Sequence, residues 1–163
     1  MFNPLQIQYW SQTPYRLGPH VVKYSARSLS AKSDRAAVSS GPNALEEAMV
    51  RQLKAGNAAF SFMVQRQVDP VRMPIEDPTI VWDEALSPFV KVATIRIPPQ
   101  TFNSEEQKNF AENLSFTPWH ALTEHRPLGN ANRIRRAVYQ GVSTHRHALN
   151  RVARHEPSGD EQF

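Results

Sequence analysis

The sequence predicts an α+β fold in which an incomplete set of strands is followed by helices. Three observations carry this expectation. Apolar alternation or β-rich composition marks strands over residues 20–27, 58–68 and 89–97. Capping signals open helices at Asn43 and at Ser104. A basic segment over residues 130–153 has the period of one long final helix.

The elements follow in order. Residues 1–19 form an extended, turn-rich entry carrying Tyr9, Trp10 and Tyr15. The β-rich run HVVKYSAR is the first strand, and a polar loop over 31–42 ends in Gly-Pro. Asn43 is the expected N-cap of the next helix, with Glu46 at the capping-box position, Leu45, Ala48, Met49 and Leu53 as its apolar stripe, and Gly56 closing it. In the strand over 58–68, Phe60, Phe62 and Val64 share a face. A loop with Pro70, Pro74 and Pro78 precedes the third strand, which Pro98-Pro99 stops. Ser104 and Gln107 form a second capping box, and residues 112–116 suit a short strand. One domain spans residues 1–155, and the tail over 156–163 is expected to be disordered. Three or four strands cannot close a barrel and leave open edges, which points to missing sequence.

The bulk numbers exclude more than they assign. The 163 residues suffice for one domain with a core. With no cysteine, disulfides, zinc-thiolate sites and cysteine nucleophiles drop out. No apolar run approaches the ~18 residues of a membrane span, and the first residues lack a secretory pattern, so a cytoplasmic location is expected. Net charge is +4, and no acid occurs between His125 and His155.

That basic helix carries the chemistry. At about 100° per residue, Arg135, Tyr139, Val142 and Arg146 fall within roughly 60° on one face. Ile134, Val138, Leu149 and Val152 make an adjacent apolar stripe, expected to pack on the rest of the domain. A phenol one turn from a guanidinium can be held as phenolate, because a neighbouring cation and a ferric ion both favour the anion. By spacing alone such a tyrosine is more often a packed residue, since Arg-x-x-x-Tyr pairs are common on helices.

Four segments, in order, resemble the C-terminal half of the catalase haem domain. Gly18-Pro19-His20-Val21-Val22-Lys23 resembles the strand whose histidine hydrogen-bonds the proximal arginine. Asp77-Pro78-Thr79-Ile80-Val81-Trp82 is similar to the Asp-Pro-Thr-x-x-Trp stretch near the end of the barrel. Phe116-Thr117-Pro118 is similar to the proximal proline turn, and Arg135-x-x-x-Tyr139 with Arg146 resembles the haem-ligand helix. The wording around Pro118 looks closest to the small catalase-like haem hydroperoxidases. Two departures stand out. Gly129-Asn130-Ala131 replaces the family's acidic residue upstream of the arginine, and extra positions after Tyr139 leave His145 and His147 without a counterpart.

The resemblance implies part of an antiparallel catalase-type β-barrel followed by helices, with haem b as cofactor. It implies that Tyr139 is the iron ligand, that Arg135 keeps it ionised with His20 behind, that Pro118 packs on the proximal haem face, and that Arg146 pairs with a propionate. The implied activity is decomposition of hydrogen peroxide or an organic hydroperoxide through ferric and higher-valent haem. The distal half, with its peroxide-cleaving histidine, has no counterpart, so the chain is expected to be truncated or split, with a missing N-terminal half or a homo-oligomer as its partner. Two alternatives stay open: rearrangement of a fatty-acid hydroperoxide, and a non-enzymatic basic module. Nucleic acid is the less favoured partner, because Arg133, Arg136 and Arg151 do not share the face of Arg135 and Arg146. A metal on His145 and His147, or on His120 and His125, is disfavoured because residues two apart on a helix diverge.

Overall fold

The computed structural model describes residues 3–30, 40–154 and 159. Its strands are β1 (Gln8–Trp10), β2 (Tyr15–Leu17), β3 (His20–Ser28), β4 (Ala58–Arg66) and β5 (Val90–Ile97). Its α-helices are α1 (Ala44–Ala55), α2 (Glu105–Glu112) and α3 (Gly129–Asn150). All strand pairs are antiparallel, in the order β1-β3-β4-β5, with β2 also on β3. The sheet is open, with β5 at one edge.

The three long strands lie where alternation puts them. β1 and β2 fall inside the expected irregular entry, as two pieces along one edge of β3: Tyr9 pairs with Ala26 and Tyr15 with Val22. Between them Ser11 takes over the ladder, exchanging backbone and hydroxyl bonds with Tyr24 at 2.8 and 2.7 Å. β2 and β3 form a hairpin through Gly18, whose φ of 57° suits a residue without Cβ. Residues 112–116 form no strand: α2 runs to Glu112, and only Leu114 is a bridge position. The expected tail lies outside the described residues apart from Gly159.

β4 is the centre of the sheet and is buried on both faces. Phe60 and Val64 lie on one side, and Ser61, Met63 and Gln65 on the other. α1 closes the first side at one end: Leu5, Leu53, Ala58 and Phe60 form a core that Met49, Ile97 and Phe102 flank. Burying each large side chain stabilises by about 1.5–3 kcal/mol. Asn43 occupies the N-cap of α1 but its side chain makes no capping bond there, whereas Ser104 and Gln107 make the full capping box of α2. The loop of residues 67–89 covers the second face, pinned by Gln65, whose amide donates to the carbonyls of Trp82 and Ser87 at 3.1 and 2.8 Å.

The packing of α3 overturns an expectation. Its apolar stripe does not face the domain: Ile134, Val138, Leu149 and Val152 are 64, 52, 69 and 38% exposed, and neighbouring Val142 is 61% exposed. The buried side is polar, made of Asn132, Ser143 and His147. These polar bonds to the preceding chain outweigh the amphipathic pattern and set how the helix is turned. Among the described residues no helix is long and apolar enough to cross a membrane.

Candidate functional site

The start of α3 is fixed by backbone and amide contacts. Gly129 has φ 83°, and a Cβ there would lie 2.7 Å from the Ile75 carbonyl oxygen. Glu76 accepts from the Asn130 N–H at 2.6 Å and pairs with Arg133 at 3.2 Å. One turn in, Asn132 is wholly buried. Its amide donates to Pro14 and Leu128 carbonyls at 3.1 and 2.8 Å, and its oxygen accepts from Thr13 Oγ1 at 3.1 Å and Arg135 Nη1 at 3.3 Å. Farther along, Ser143 meets Ser115 at 2.9 Å, and His147 Nε2 lies 2.9 Å from the Asn113 carbonyl oxygen.

This docking leaves Arg135, Tyr139 and Arg146 at the border between the buried polar side and the exposed apolar stripe. Arg135 Nη2 donates to the Tyr139 hydroxyl at 3.1 Å, with the guanidinium 5.4 Å from the ring centre. Burial opposes the Arg135 charge, yet the hydrogen bond to Tyr139 and the nearby Tyr15 and Tyr139 hydroxyls outweigh it and raise its pKa above the ordinary guanidinium value. Arg135 is therefore a fixed cation and a pure donor toward the phenol oxygen. Arg146 donates through Nη2 to the Leu114 carbonyl, while its buried Nε–H has no acceptor among the described residues.

Two recesses flank Tyr139. One, of about 230 Å³, is lined by Phe116, Val138, Val142 and Ser143 with Tyr139 and Arg146. The other, of about 240 Å³, is lined by Phe116, Trp119, His120, Arg136 and Gln140 with Tyr139. Arg136 lies 5.1 Å from the Trp119 ring centre, and Trp119 Nε1 donates to the Asn132 carbonyl at 2.9 Å. The arginines at the start of α3 thus have different neighbours: Glu76 for Arg133, Tyr139 and Asn132 for Arg135, and Trp119 for Arg136. They do not form a phosphate-tracking stripe.

Of the sequence-derived residues, the structure brings Arg135, Tyr139 and Arg146 together. It does not bring His20, which is a correction. His20 is exposed at the hairpin end of β3, where Nδ1 meets Arg66 Nη2 at 3.1 Å. The hairpin register pairs Leu17 with His20, and it is Tyr15 and Asn132 that neighbour Arg135. Pro118 is half-buried in the turn between Thr117 and Trp119 and lines neither recess; Phe116, 65% exposed, is the ring that does. His147 has both ring nitrogens against carbonyls, of Ser143 at 2.6 Å and Asn113 at 2.9 Å, and His145 is exposed. Among the described residues no group of three His, Cys, Asp or Glu could hold a metal ion. Sequence reasoning missed Asn132; its one signal was a poor helix former in the first turn of a helix.

An apolar ledge, a phenol held by a cation, and a buried N–H with no acceptor fit a flat apolar ligand bearing acidic groups. No family model and no curated protein matches the amino-acid sequence. The structure, in contrast, matches solved catalases. A fungal catalase aligns at TM-score 0.70 with 14% identity, covering 91% of this chain and 32% of that one. Catalase A from Saccharomyces cerevisiae aligns at TM-score 0.66 with 14% identity, covering 88% and 32%. The chain thus spans about a third of the length of those catalases. Over the portion it spans, the chain has the catalase fold.

Proposed function

We propose that this chain is the proximal, haem-holding part of a catalase-like hydroperoxidase, with Tyr139 supplying the phenolate ligand to haem b. The observation that carries the reading is the 3.1 Å hydrogen bond from Arg135 to Tyr139, set beside an exposed apolar stripe. Haem bound there would supply the redox chemistry that decomposes hydrogen peroxide or an organic hydroperoxide. The protein's part is electrostatic and steric. Arg135 donates to the phenol oxygen and would keep that hydrogen bond to an iron-bound tyrosinate. Asn132 holds Arg135 in place through Nη1. Phe116, Val138 and Val142 would lie against the macrocycle and exclude water. The Arg146 Nε–H, buried without an acceptor, would gain one from a propionate. Groups that move the peroxide proton would come from outside the residues of this chain. The reading as a basic nucleic-acid module gains nothing from the geometry, because these arginines do not form one phosphate-facing row.

The test is a titration of the purified chain with haemin, followed in the visible spectrum, for wild type, Tyr139→Phe and Arg135→Gln. Wild type should develop a shifted Soret band. Tyr139→Phe should bind at least tenfold more weakly, or give a spectrum without the tyrosinate signature. Arg135→Gln should retain binding but lose the ligand as pH falls sooner than wild type does. No Soret change on mixing, or identical spectra for wild type and Tyr139→Phe, would sink the assignment.

A further inference from the structure

The second face of the sheet holds a charged group that pairs with no carboxylate among the described residues. Lys23 and Tyr24 are successive residues of β3, so their side chains leave opposite faces. Tyr24 stacks on Phe62 and Tyr15, on the face toward Arg135. Lys23 enters the other face, under the loop of residues 67–89, and is only 8% exposed. Its ammonium sits 4.8 Å from the Trp82 ring centre and donates to the Ile80 carbonyl at 3.3 Å. Both contacts stabilise a cation, and neither neutralises it. Among the described residues no carboxylate pairs with it. An ammonium has three donors, and among the described residues it meets one carbonyl and one ring face. Leaving a buried charge unpaired is unfavourable, and burial accordingly pushes the Lys23 pKa below the ordinary lysine value.

The group opens onto a groove of about 380 Å³ walled by Trp10, Ile80, Val81, Trp82 and Phe89. That volume lies within the range of about 300–1,000 Å³ usual for small-molecule pockets. We infer that this groove binds an apolar monocarboxylic acid, its carboxylate on Lys23 and its hydrocarbon or aromatic body between Trp10, Ile80 and Phe89. The single cation selects a single negative charge. There is no arginine fork among the lining residues to favour phosphate. Glu84 also lines the groove without an ion pair to Lys23, and it is the carboxylate a ligand would have to displace if the side chain swung inward. The site is separate from Tyr139 and does not rest on haem binding.

Calorimetric titration of the full chain with decanoate, with decan-1-ol as the uncharged control, tests this. Decanoate should bind wild type at least tenfold more tightly than decan-1-ol, and Lys23→Met should abolish that difference. Val81→Glu provides a second variant that leaves the core intact, since Val81 is 87% exposed. A carboxylate placed at the groove should weaken decanoate binding by tenfold or more. Binding should hold at neutral pH and fall as pH rises through the lowered Lys23 value, earlier than for a free lysine near 10.5. Equal affinity for decanoate and decan-1-ol overturns the inference. So does decanoate binding that Val81→Glu leaves unchanged, or no binding at millimolar decanoate.

Discussion

Asn132→Ala tests whether polar docking, rather than apolar burial, holds α3. The side chain is 0% exposed and makes four hydrogen bonds, to Pro14, Leu128, Thr13 and Arg135. Truncation removes all four, but the losses are unequal. Arg135 is partly exposed and recovers water, and Pro14 O still accepts from the Leu128 N–H at 3.0 Å. Thr13, 3% exposed, loses its side-chain partner in a dry site. Stranding Thr13 costs about 1–3 kcal/mol and losing the Leu128 bond about 0.5–1.5 kcal/mol net, while the Arg135 and Pro14 losses are small. The sum is about 3 kcal/mol, or roughly a hundredfold in the folding constant. For a domain of this size that corresponds to a drop of about 6–12 °C in Tm. Urea unfolding of wild type, Asn132→Ala and Gln140→Ala, an exposed control on the same helix, measures it. The control should stay within about 0.5 kcal/mol of wild type. A loss below about 1 kcal/mol for Asn132→Ala would refute the reasoning, because it would mean that the helix is held by something other than this amide.

Two further outcomes follow from local geometry. Gly129→Ala should destabilise by about 2 kcal/mol or more, since φ 83° is strained for alanine and its Cβ would meet the Ile75 carbonyl at 2.7 Å; a Tm equal to wild type would contradict this. Asp77 accepts from the Thr79 hydroxyl at 2.6 Å and the Thr79 N–H at 2.9 Å, and these bonds lower its pKa below 3.8. A depressed carboxylate pKa contributes stability that is present above the unfolded value and is lost as pH falls through the folded one. Asp77→Asn should therefore flatten the acid limb of the stability–pH curve below pH 3.8, by losing the neutral-pH stability that the ionised carboxylate contributes and converging with wild type in acid, whereas parallel acid limbs would exclude the linkage.

Much of the architecture was legible in the chain because it depends on local rules. β3, β4 and β5 begin and end within two residues of their alternating runs. α2 starts at the expected Ser104 box, and α3 runs nearly the expected length. β1 and β2 escaped because three residues are too few for a period. The site was legible in part. Helical phase alone puts Arg135, Tyr139 and Arg146 together, and the structure does so too. His20 lies at the exposed hairpin end of β3 against Arg66, while Tyr15 lies near Arg135. Pro118 lines neither recess, and Phe116, two positions earlier, presents the exposed ring.

The sequence by itself determined where the long strands and the helices lie, and which side chains share a helical face. Both depend on the repeat of the local backbone and need no knowledge of distant contacts. Only the tertiary structure decided which face of α3 turns inward. An amphipathic pattern says that an apolar stripe seeks cover, but not that this chain supplies it. Here Asn132, Ser143 and His147 find partners at Thr13, Pro14, Ser115 and Asn113, and those bonds rotate the stripe outward beside Tyr139. A ligand face can be recognised only after those long-range partners are known.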